Sequence, residues 1–256
     1  GVYTTDPRLL PEARRVSRIS YDEMLELASL GAGVMHSRSI EFGKKFGVPI
    51  HVRSSFSDIA GTMIVAEGES ANQAVCGATL VKNEARITIL GVPDRPGSSH
   101  AIFSKIAGRN ITVDMIVQNV GAGGKADISF TVPKNELNQT LEAVQAALDT
   151  FQGGTVVHDA GAAKVSVVGL GMARQTGVAQ RMFRALADAN VNLQLISIGE
   201  PHGLQRRIRS SKIGYEHHAL TFIKMTNARW AKGFIVGTIC GRHRISGSID
   251  AGSINH

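Results

Sequence analysis

Two stretches of this 256-residue chain repeat each other, and this repeat constrains the fold more than any other feature. Residues 86–91 (RITILG) match residues 164–169 (KVSVVG) at an offset of 78. After a two-residue insertion, residues 102–111 match residues 182–191 at an offset of 80. Each copy has the pattern of a strand, a glycine-containing loop, an amphipathic helix and a second strand. The repeat therefore predicts two similar modules.

The first copy continues into a complete module. Residues 126–132 alternate apolar and polar side chains, which predicts a strand with one buried face. Residues 135–151 have helical periodicity, and residues 155–158 predict a closing strand. The resulting order, β-α-β-β-α-β, is that of a ferredoxin-like module with an antiparallel sheet. The second copy breaks off near Ser197, where its third strand is due.

The segment before the repeat has its own helix and strand signals. Ser20 followed by Glu23 forms a capping-box pattern, which predicts a helix that ends at Gly31. A second helix is predicted at about residues 37–46, and strands are predicted at 48–52 and 62–65. The overall fold class is therefore α+β.

The charge of the chain is concentrated at one end. The formal net charge is +7, but residues 1–200 contain 19 basic and 19 acidic residues, so the excess lies within residues 201–256. This distribution argues against a basic protein that binds nucleic acid over its whole surface. The chain has two cysteines, too few for a disulfide framework. No apolar run approaches the ~20 residues that a membrane span needs, and residues 1–7 are not expected to be part of a signal peptide, because they have no basic or apolar region.

Three ordered motifs resemble consecutive landmarks of the aspartate kinase family. They are residues 1–8 (GVYTTDPR), 19–24 (ISYDEM) and 51–56 (HVRSSF), which resemble the C-terminal part of the catalytic domain. The repeat resembles the tandem ACT modules that follow that domain, and the second half also resembles the separate small regulatory subunit that some bacteria make. The resemblance covers roughly residues 1–197.

This resemblance implies a division of the chain. Residues 1–65 are expected to be an incomplete α/β amino acid kinase domain, followed by a linker at 66–83. The first ACT module is expected at 84–160 and a truncated second one at 161–198. Residues 199–256 are expected to form an atypical basic tail, and a reading-frame change near residue 198 would explain its abrupt composition.

The resemblance also implies a reaction. The family transfers the γ-phosphoryl group of ATP to the β-carboxylate of aspartate, on the pathway to lysine, threonine and methionine. The family's phosphate-handling Lys-Phe-Gly-Gly segment does not occur in this sequence, whose N-terminus reads like the interior of a longer protein. Phosphoryl transfer depends on such groups and on Mg²⁺. We therefore expect ATP and Mg²⁺ to serve the intact parent enzyme, and no catalytic residue or cofactor in this chain alone.

The first candidate site is a family remnant near the N-terminus. Tyr3, Thr4, Asp6 and Arg8 resemble the nucleotide-contacting loop of the kinase domain. Hydroxyl groups and an arginine near a turn can position a phosphate or a ribose. The alternative interpretation is a polar turn capped by Asp6.

The second candidate site is an effector pocket in the first module. A helix N-terminus near Gly97 and Ser98 can receive a carboxylate, while Asp94 can receive an ammonium group. Asp114 and Gln118 lie four residues apart on a predicted strand, so they are expected to point to the same face. The resemblance assigns effector binding to Asp94, Gly97, Ser98, Asp114, Gln118 and, across a module interface, Asn192. The alternatives are a plain turn residue at Asp94 and an edge-strand amide at Gln118.

Three functional hypotheses remain open. The leading one is allosteric sensing of lysine or threonine within a cytoplasmic aspartate kinase, with a homodimer formed through the ACT modules. The second is a free-standing regulatory subunit that associates with a catalytic subunit. The third, least favoured, is nucleic-acid binding through the basic tail, which includes Arg206, Arg207 and Arg209. No metal site is predicted, because the tail residues His217, His218, Cys240 and His243 fit no zinc-binding spacing.

Overall fold

The computed structural model describes residues 1–69, 74–151, 153–169, 177–199 and 219–223. It contains a small N-terminal unit and a larger part built on one six-stranded sheet. The N-terminal unit comprises β1 (Arg18–Ser20), α1 (Tyr21–Ser29), α2 (Ser37–Phe46), β2 (Ile50–Val52) and β3 (Thr62–Val65). The larger part comprises β4 (Gly77–Pro93), α3 (Ser98–Ala107), β5 (Asp114–Val120), β6 (Lys125–Pro133), α4 (Leu137–Leu148), β7 (Thr155–Val168), α5 (Val178–Asp188), β8 (Leu195–Gly199) and β9 (Ala219–Ile223).

The N-terminal unit is held by local helix signals and a small apolar core. Its sheet has the order β1-β3-β2, with β1 parallel to β3 and β2 antiparallel to β3. The predicted capping box is present, because Ser20 Oγ accepts a hydrogen bond from the Glu23 amide (3.2 Å) and Glu23 Oε2 accepts one from the Ser20 amide (3.1 Å). Helix α2 ends at Gly47, which adopts the left-handed conformation with φ of 64°.

The first module has the predicted β-α-β-β-α-β order. The C-terminal half of β4, α3, β5, β6, α4 and the N-terminal half of β7 form it in sequence. The helices cover one face of the sheet, where Ile87, Ile128 and Phe130 of the strands and Ile102 and Ile106 of α3 are fully buried in one apolar core. The alternation over residues 126–132 thus forms the buried face, as predicted.

The two modules share their two longest strands. The first part of β4, residues 77–81, pairs with residues 164–168 of β7, whereas residues 86–90 of β4 pair with residues 155–159. Register shifts near Glu84 separate the two halves. Residues 77–83, predicted as linker, therefore belong to β4. The linker prediction was wrong there because this strand precedes the repeat in sequence and pairs with a segment more than 80 residues away.

The second module contains a strand that the sequence pattern did not reveal. Ala219–Ile223 pairs with both β7 and β8, so the sheet order is β5-β6-β4-β7-β9-β8. This strand lies within residues 199–256, which were predicted to be an atypical tail that does not continue the module. It follows β8 by about 20 residues in a polar, basic context, so no periodicity along the chain links it to the second copy. The rest of the tail lies outside the described residues.

The backbone of the two modules repeats in detail. Gly97 precedes α3 with φ of 95°, and Gly177 precedes α5 with φ of 85°. Asn110 and Asn190 follow these helices, and both have positive φ, 57° and 52°. Both pairs are separated by the offset of 80 residues found in the sequence, so the repeat extends to conformations that few residue types adopt.

The N-terminal unit packs on the second module. Leu10 is buried in a cluster with Val167 of β7 and with Val178 and Met182 of α5. Thr79 Oγ1 in β4 donates a hydrogen bond to the Leu30 carbonyl at the end of α1 (2.8 Å). These two contacts therefore join the N-terminal unit to the second module, although the first module is nearer along the chain. In the part of the chain that the structure describes, no helix combines the length and apolarity that a membrane crossing requires.

Candidate functional site

The N-terminus of α3 is an open polar helix end. Within the described chain, no side chain caps its first turn, and that turn contains no acidic residue. Ser98 is 5% exposed, and its Oγ has no hydrogen-bond partner among the described residues. A Cβ on Gly97 would meet no described atom within 4 Å, so the space beside this end is free. The Ser98 amide donates to the Arg95 carbonyl (3.2 Å), and the helix dipole together with the other amides of the first turn attracts an anion such as a carboxylate.

The loop before α3 holds Asp94 at the surface. The Asp94 amide donates to the Gly124 carbonyl (2.8 Å), and the Gly91 amide donates to Asp127 Oδ1 (2.8 Å). The first bond ties the β4–α3 loop to the β5–β6 turn, and the second joins the end of β4 to β6. Asp94 itself is exposed, so its carboxylate is accessible to a cation.

Gln118 is brought to the same end of the module. Ser99 Oγ, in the first turn of α3, donates a hydrogen bond to Gln118 Oε1 (2.9 Å). Four of the predicted effector residues, Asp94, Gly97, Ser98 and Gln118, are thus grouped at the α3 N-terminus and the adjacent edge of β5. Ser99 is an additional residue of this grouping, and its position in the first turn of α3 is the sequence signal that could have identified it.

Asp114 does not share a face with Gln118, and this part of the prediction was wrong. Asp114 pairs with Thr131 of β6, whereas Gln118 pairs with Ile128. Asp114 and Gln118 are four residues apart on β5, but their partners are three residues apart on β6 and therefore point to opposite faces of the sheet. A register shift between Asp114 and Val117 causes this, with Met115 at φ of 45°. An extra residue in a strand turns the following side chains to the other face. Gln118 therefore faces α3, and Asp114 faces the opposite side.

Asp114 is instead part of a charged group between the modules. Its Oδ2 contacts Lys164 Nζ, and its Oδ1 accepts a hydrogen bond from the Met115 amide (2.9 Å). Lys164 is 6% exposed and also lies 3.9 Å from Glu84 Oε1. Burial raises the pKa of Glu84, Lys164 opposes this rise, and Asp114 adds to it. In this structure Asp114 therefore binds the ammonium group of Lys164, and not that of an effector as predicted.

Asn192 lies in the second module, away from this grouping. It is exposed in the segment between α5 and β8. Its neighbour Gln194 points to the junction, where Nε2 donates to Asp159 Oδ2 (3.3 Å). The structure therefore does not bring Asn192 to the α3 N-terminus of the same chain.

The N-terminal loop is a turn closed by an ion pair. Asp6 accepts hydrogen bonds from the Arg8 amide (2.9 Å) and from Arg8 Nη2 (2.8 Å). Arg8, through its side-chain hydrogen bond, holds the pKa of Asp6 below its ordinary value. The backbone of Tyr3 forms an isolated antiparallel β-bridge with that of Arg15. The Thr4 hydroxyl accepts a hydrogen bond from the Arg14 amide (3.2 Å). This geometry matches the alternative interpretation of a polar turn, and it leaves the Arg8 side chain 88% exposed.

The described part of the chain has no group of three or more histidine, cysteine, aspartate or glutamate residues placed to bind a metal ion. The tail residues considered as ligands, His217, His218, Cys240 and His243, lie outside the described residues, as do Arg206, Arg207 and Arg209.

Comparison with known proteins identifies the parts of the chain. The amino acid kinase family matches residues 1–54, and the ACT domain matches residues 86–149 and residues 165–202. An aspartokinase of Helicobacter pylori is 45% identical over 205 residues, which covers 78% of this chain and 50% of that protein. The chain thus spans about half the length of the relatives it matches.

Solved structures agree with this division. The regulatory subunit of aspartate kinase from Thermus flavus is 30% identical, with a TM-score of 0.50, and the match covers 62% of this chain and 96% of that one. Escherichia coli aspartokinase III in complex with lysine and aspartate matches 93% of this chain and 48% of its own, with a TM-score of 0.66; at 23% identity it supports the fold alone. The chain belongs to the aspartate kinase family and combines part of an amino acid kinase domain with ACT modules.

Proposed function

We propose that this chain is the amino-acid-sensing regulatory region of an aspartate kinase, and that it binds lysine or threonine at the N-terminus of α3. The observation that carries this proposal is the buried Ser98 Oγ, which has no partner among the described residues at an uncapped helix end. A buried hydroxyl without a hydrogen bond is unfavourable, so a ligand that supplies one binds favourably.

The geometry suggests how a zwitterion would bind. The α-carboxylate would lie against the α3 N-terminus and Ser98, and Gly97 leaves room for its approach. Asp94 would receive the ammonium group, and the Gln118 amide would contribute a neutral hydrogen bond. Asp114 would join this set only by releasing Lys164. Asn192 would join it from another copy of the chain, which makes a homodimer through the ACT modules part of the proposal.

The reaction of the parent enzyme is also a proposal for this chain. We infer that the intact enzyme transfers a phosphoryl group from ATP to aspartate with Mg²⁺, in the cytoplasm, and that this chain alone does not. Tyr3, Thr4, Asp6 and Arg8 would contribute to its nucleotide site. Arg8 would meet a phosphate there, but in the isolated chain it is bound to Asp6.

A second arrangement is favoured by one specific observation. The match to the Thermus flavus protein covers 96% of a chain that is itself a regulatory subunit. The present chain could therefore serve as a separate regulatory subunit that associates with a catalytic subunit, and the same effector site would operate in both arrangements. Nucleic-acid binding receives no support from the described residues.

Calorimetric titration tests the effector site. Lysine and threonine are titrated into the chain and into Asp94→Asn and Ser98→Ala, with Asp58→Asn, an exposed residue of the N-terminal unit, as the matched control. We expect Asp94→Asn to weaken binding by about tenfold or more, because it removes a charge-assisted hydrogen bond. Asp58→Asn should leave affinity unchanged. If neither amino acid binds the folded chain at millimolar concentration, the proposal is wrong.

A further inference from the structure

The charged group between the two modules joins strands that are not neighbours in the sheet. Lys164 lies on β7 and Asp114 on β5, and β6 and β4 stand between these strands in the sheet order. A contact between them requires the sheet to curl, so that β5 reaches the second half of β7. Apolar contacts show the same approach, because Met115 and Val117 of β5 pack against Ala162 of β7 and Leu195 of β8. The ion pair and this cluster together close the first module on the second.

Among the described residues, the junction contains an excess of acid. Glu84 is 8% exposed, and its Oε2 is buried without a hydrogen-bond partner in the described structure. The charged groups that act on it are Lys164 on β7, whose Nζ lies 3.9 Å from Glu84 Oε1, and Asp114 on β5. Arg86 on β4 and Asp159 on β7 lie opposite each other in the same two strands. Two carboxylates, those of Glu84 and Asp114, thus share the ammonium group of Lys164. One proton on the junction makes it neutral, and loss of that proton leaves a negative charge in a buried place.

We propose that Glu84, Lys164 and Asp114 form a proton-dependent latch that fastens edge strand β5 of the first module to the second module. With Glu84 protonated, Lys164 and Asp114 form a neutral pair and the junction is closed. With Glu84 ionised, its carboxylate is repelled by Asp114 and has lost its hydrating water. Opening the junction lets water reach the carboxylate and moves it away from Asp114, so both unfavourable effects become smaller. Because β5 also carries Gln118, opening the latch moves a residue that contacts the first turn of α3.

The direction of the pH effect follows from the burial of Glu84. Its pKa in the closed junction is higher than in an opened, hydrated one, because burial disfavours the ionised form. The closed state therefore binds the proton more tightly. The stability that this proton gives to the closed junction is fully present below about pH 4.3, the ordinary pKa of glutamate. It is lost as the pH rises through the raised pKa of Glu84.

Hydrogen exchange of the whole chain tests the latch. Protection of the β5 amides, corrected for intrinsic exchange, is measured between about pH 4.5 and 8.5 and compared with that of β6. In the wild type we expect β5 protection to fall with pH relative to β6. In Glu84→Gln the β5 protection should no longer depend on pH. If Glu84→Gln follows the wild-type pH profile, the proposal is overturned.

A second variant separates the latch from general stability. Asp114 is half-exposed, so Asp114→Asn should fold, and it should increase β5 exchange by about tenfold at all pH values with β6 unchanged. Asp22→Asn is the matched control, because it removes an exposed ion pair with Lys44 in the N-terminal unit. It should leave β5 exchange unaltered. Unchanged β5 exchange in Asp114→Asn would show that the ion pair does not hold the strand.

Discussion

Leu10 provides a direct test of how the kinase-like unit is joined to the second module. It is 6% exposed and packs against Ala78, Val167, Val178 and Met182. Leu10→Ala removes most of its side chain from this small cluster. Buried Leu→Ala changes reduce the free energy of unfolding by about 2–5 kcal/mol, and a contact at the edge of two units can partly close, so we expect about 2–3 kcal/mol.

Urea unfolding monitored by far-UV circular dichroism measures this change. With a urea m-value of about 1–3 kcal/mol/M, the midpoint should fall by about 0.7–3 M. The N-terminal unit should also begin to unfold before the first module. It is held to the rest of the chain by its contact with the second module, and Leu10→Ala weakens that contact. Phe56→Ala is the control, since Phe56 is 97% exposed and should change stability by less than about 0.5 kcal/mol. A Leu10→Ala midpoint equal to that of the control would refute the role of this contact.

Three further predictions address single residues. Ser20→Ala removes the capping box of α1 and should lower the free energy of unfolding by about 1 kcal/mol in urea titration; Ser20→Asp, which retains a cap, should lose less. Arg8→Ala should raise the Asp6 pKa towards its ordinary value, seen by NMR titration of the carboxyl carbon; an unmoved titration would show that Arg8 does not set it. Gly97→Ala forces a left-handed alanine and should destabilise the chain by about 1–2 kcal/mol in thermal unfolding, whereas Gly33→Ala should not.

Much of the fold could be predicted because its signals are local. The capping box at Ser20, the end of α2 at Gly47 and the alternation over residues 126–132 depend only on nearby residues. The repeat and the periodicity of residues 126–158 together predicted the β-α-β-β-α-β order of the first module. The sharing of β4 and β7 could not be predicted in this way, because pairing of residues 77–81 with 164–168 depends on contacts distant in sequence. The strand at residues 219–223 was missed for the same reason.

The candidate site was predicted only in part. Asp94, Gly97 and Ser98 lie in one loop and helix start, so their proximity follows from chain continuity. Asp114 was placed on the wrong face because the register shift at Met115 has no sequence signal that we could interpret. Lys164 was missed as well. Its alignment with Arg86 of the first copy, next to Val165 and Val167 of a predicted strand, was the signal that could have identified it.

The central claim is that the N-terminus of α3 receives an amino acid, and backbone amide chemical shifts test it most directly. Lysine and threonine are titrated separately into the isotopically labelled chain, with methionine as the comparison ligand. The account predicts saturable shifts centred on residues 97–100, at the start of α3, and on Gln118 of β5. Shifts confined to other parts of the chain, or no saturable shift at millimolar concentration, would contradict it.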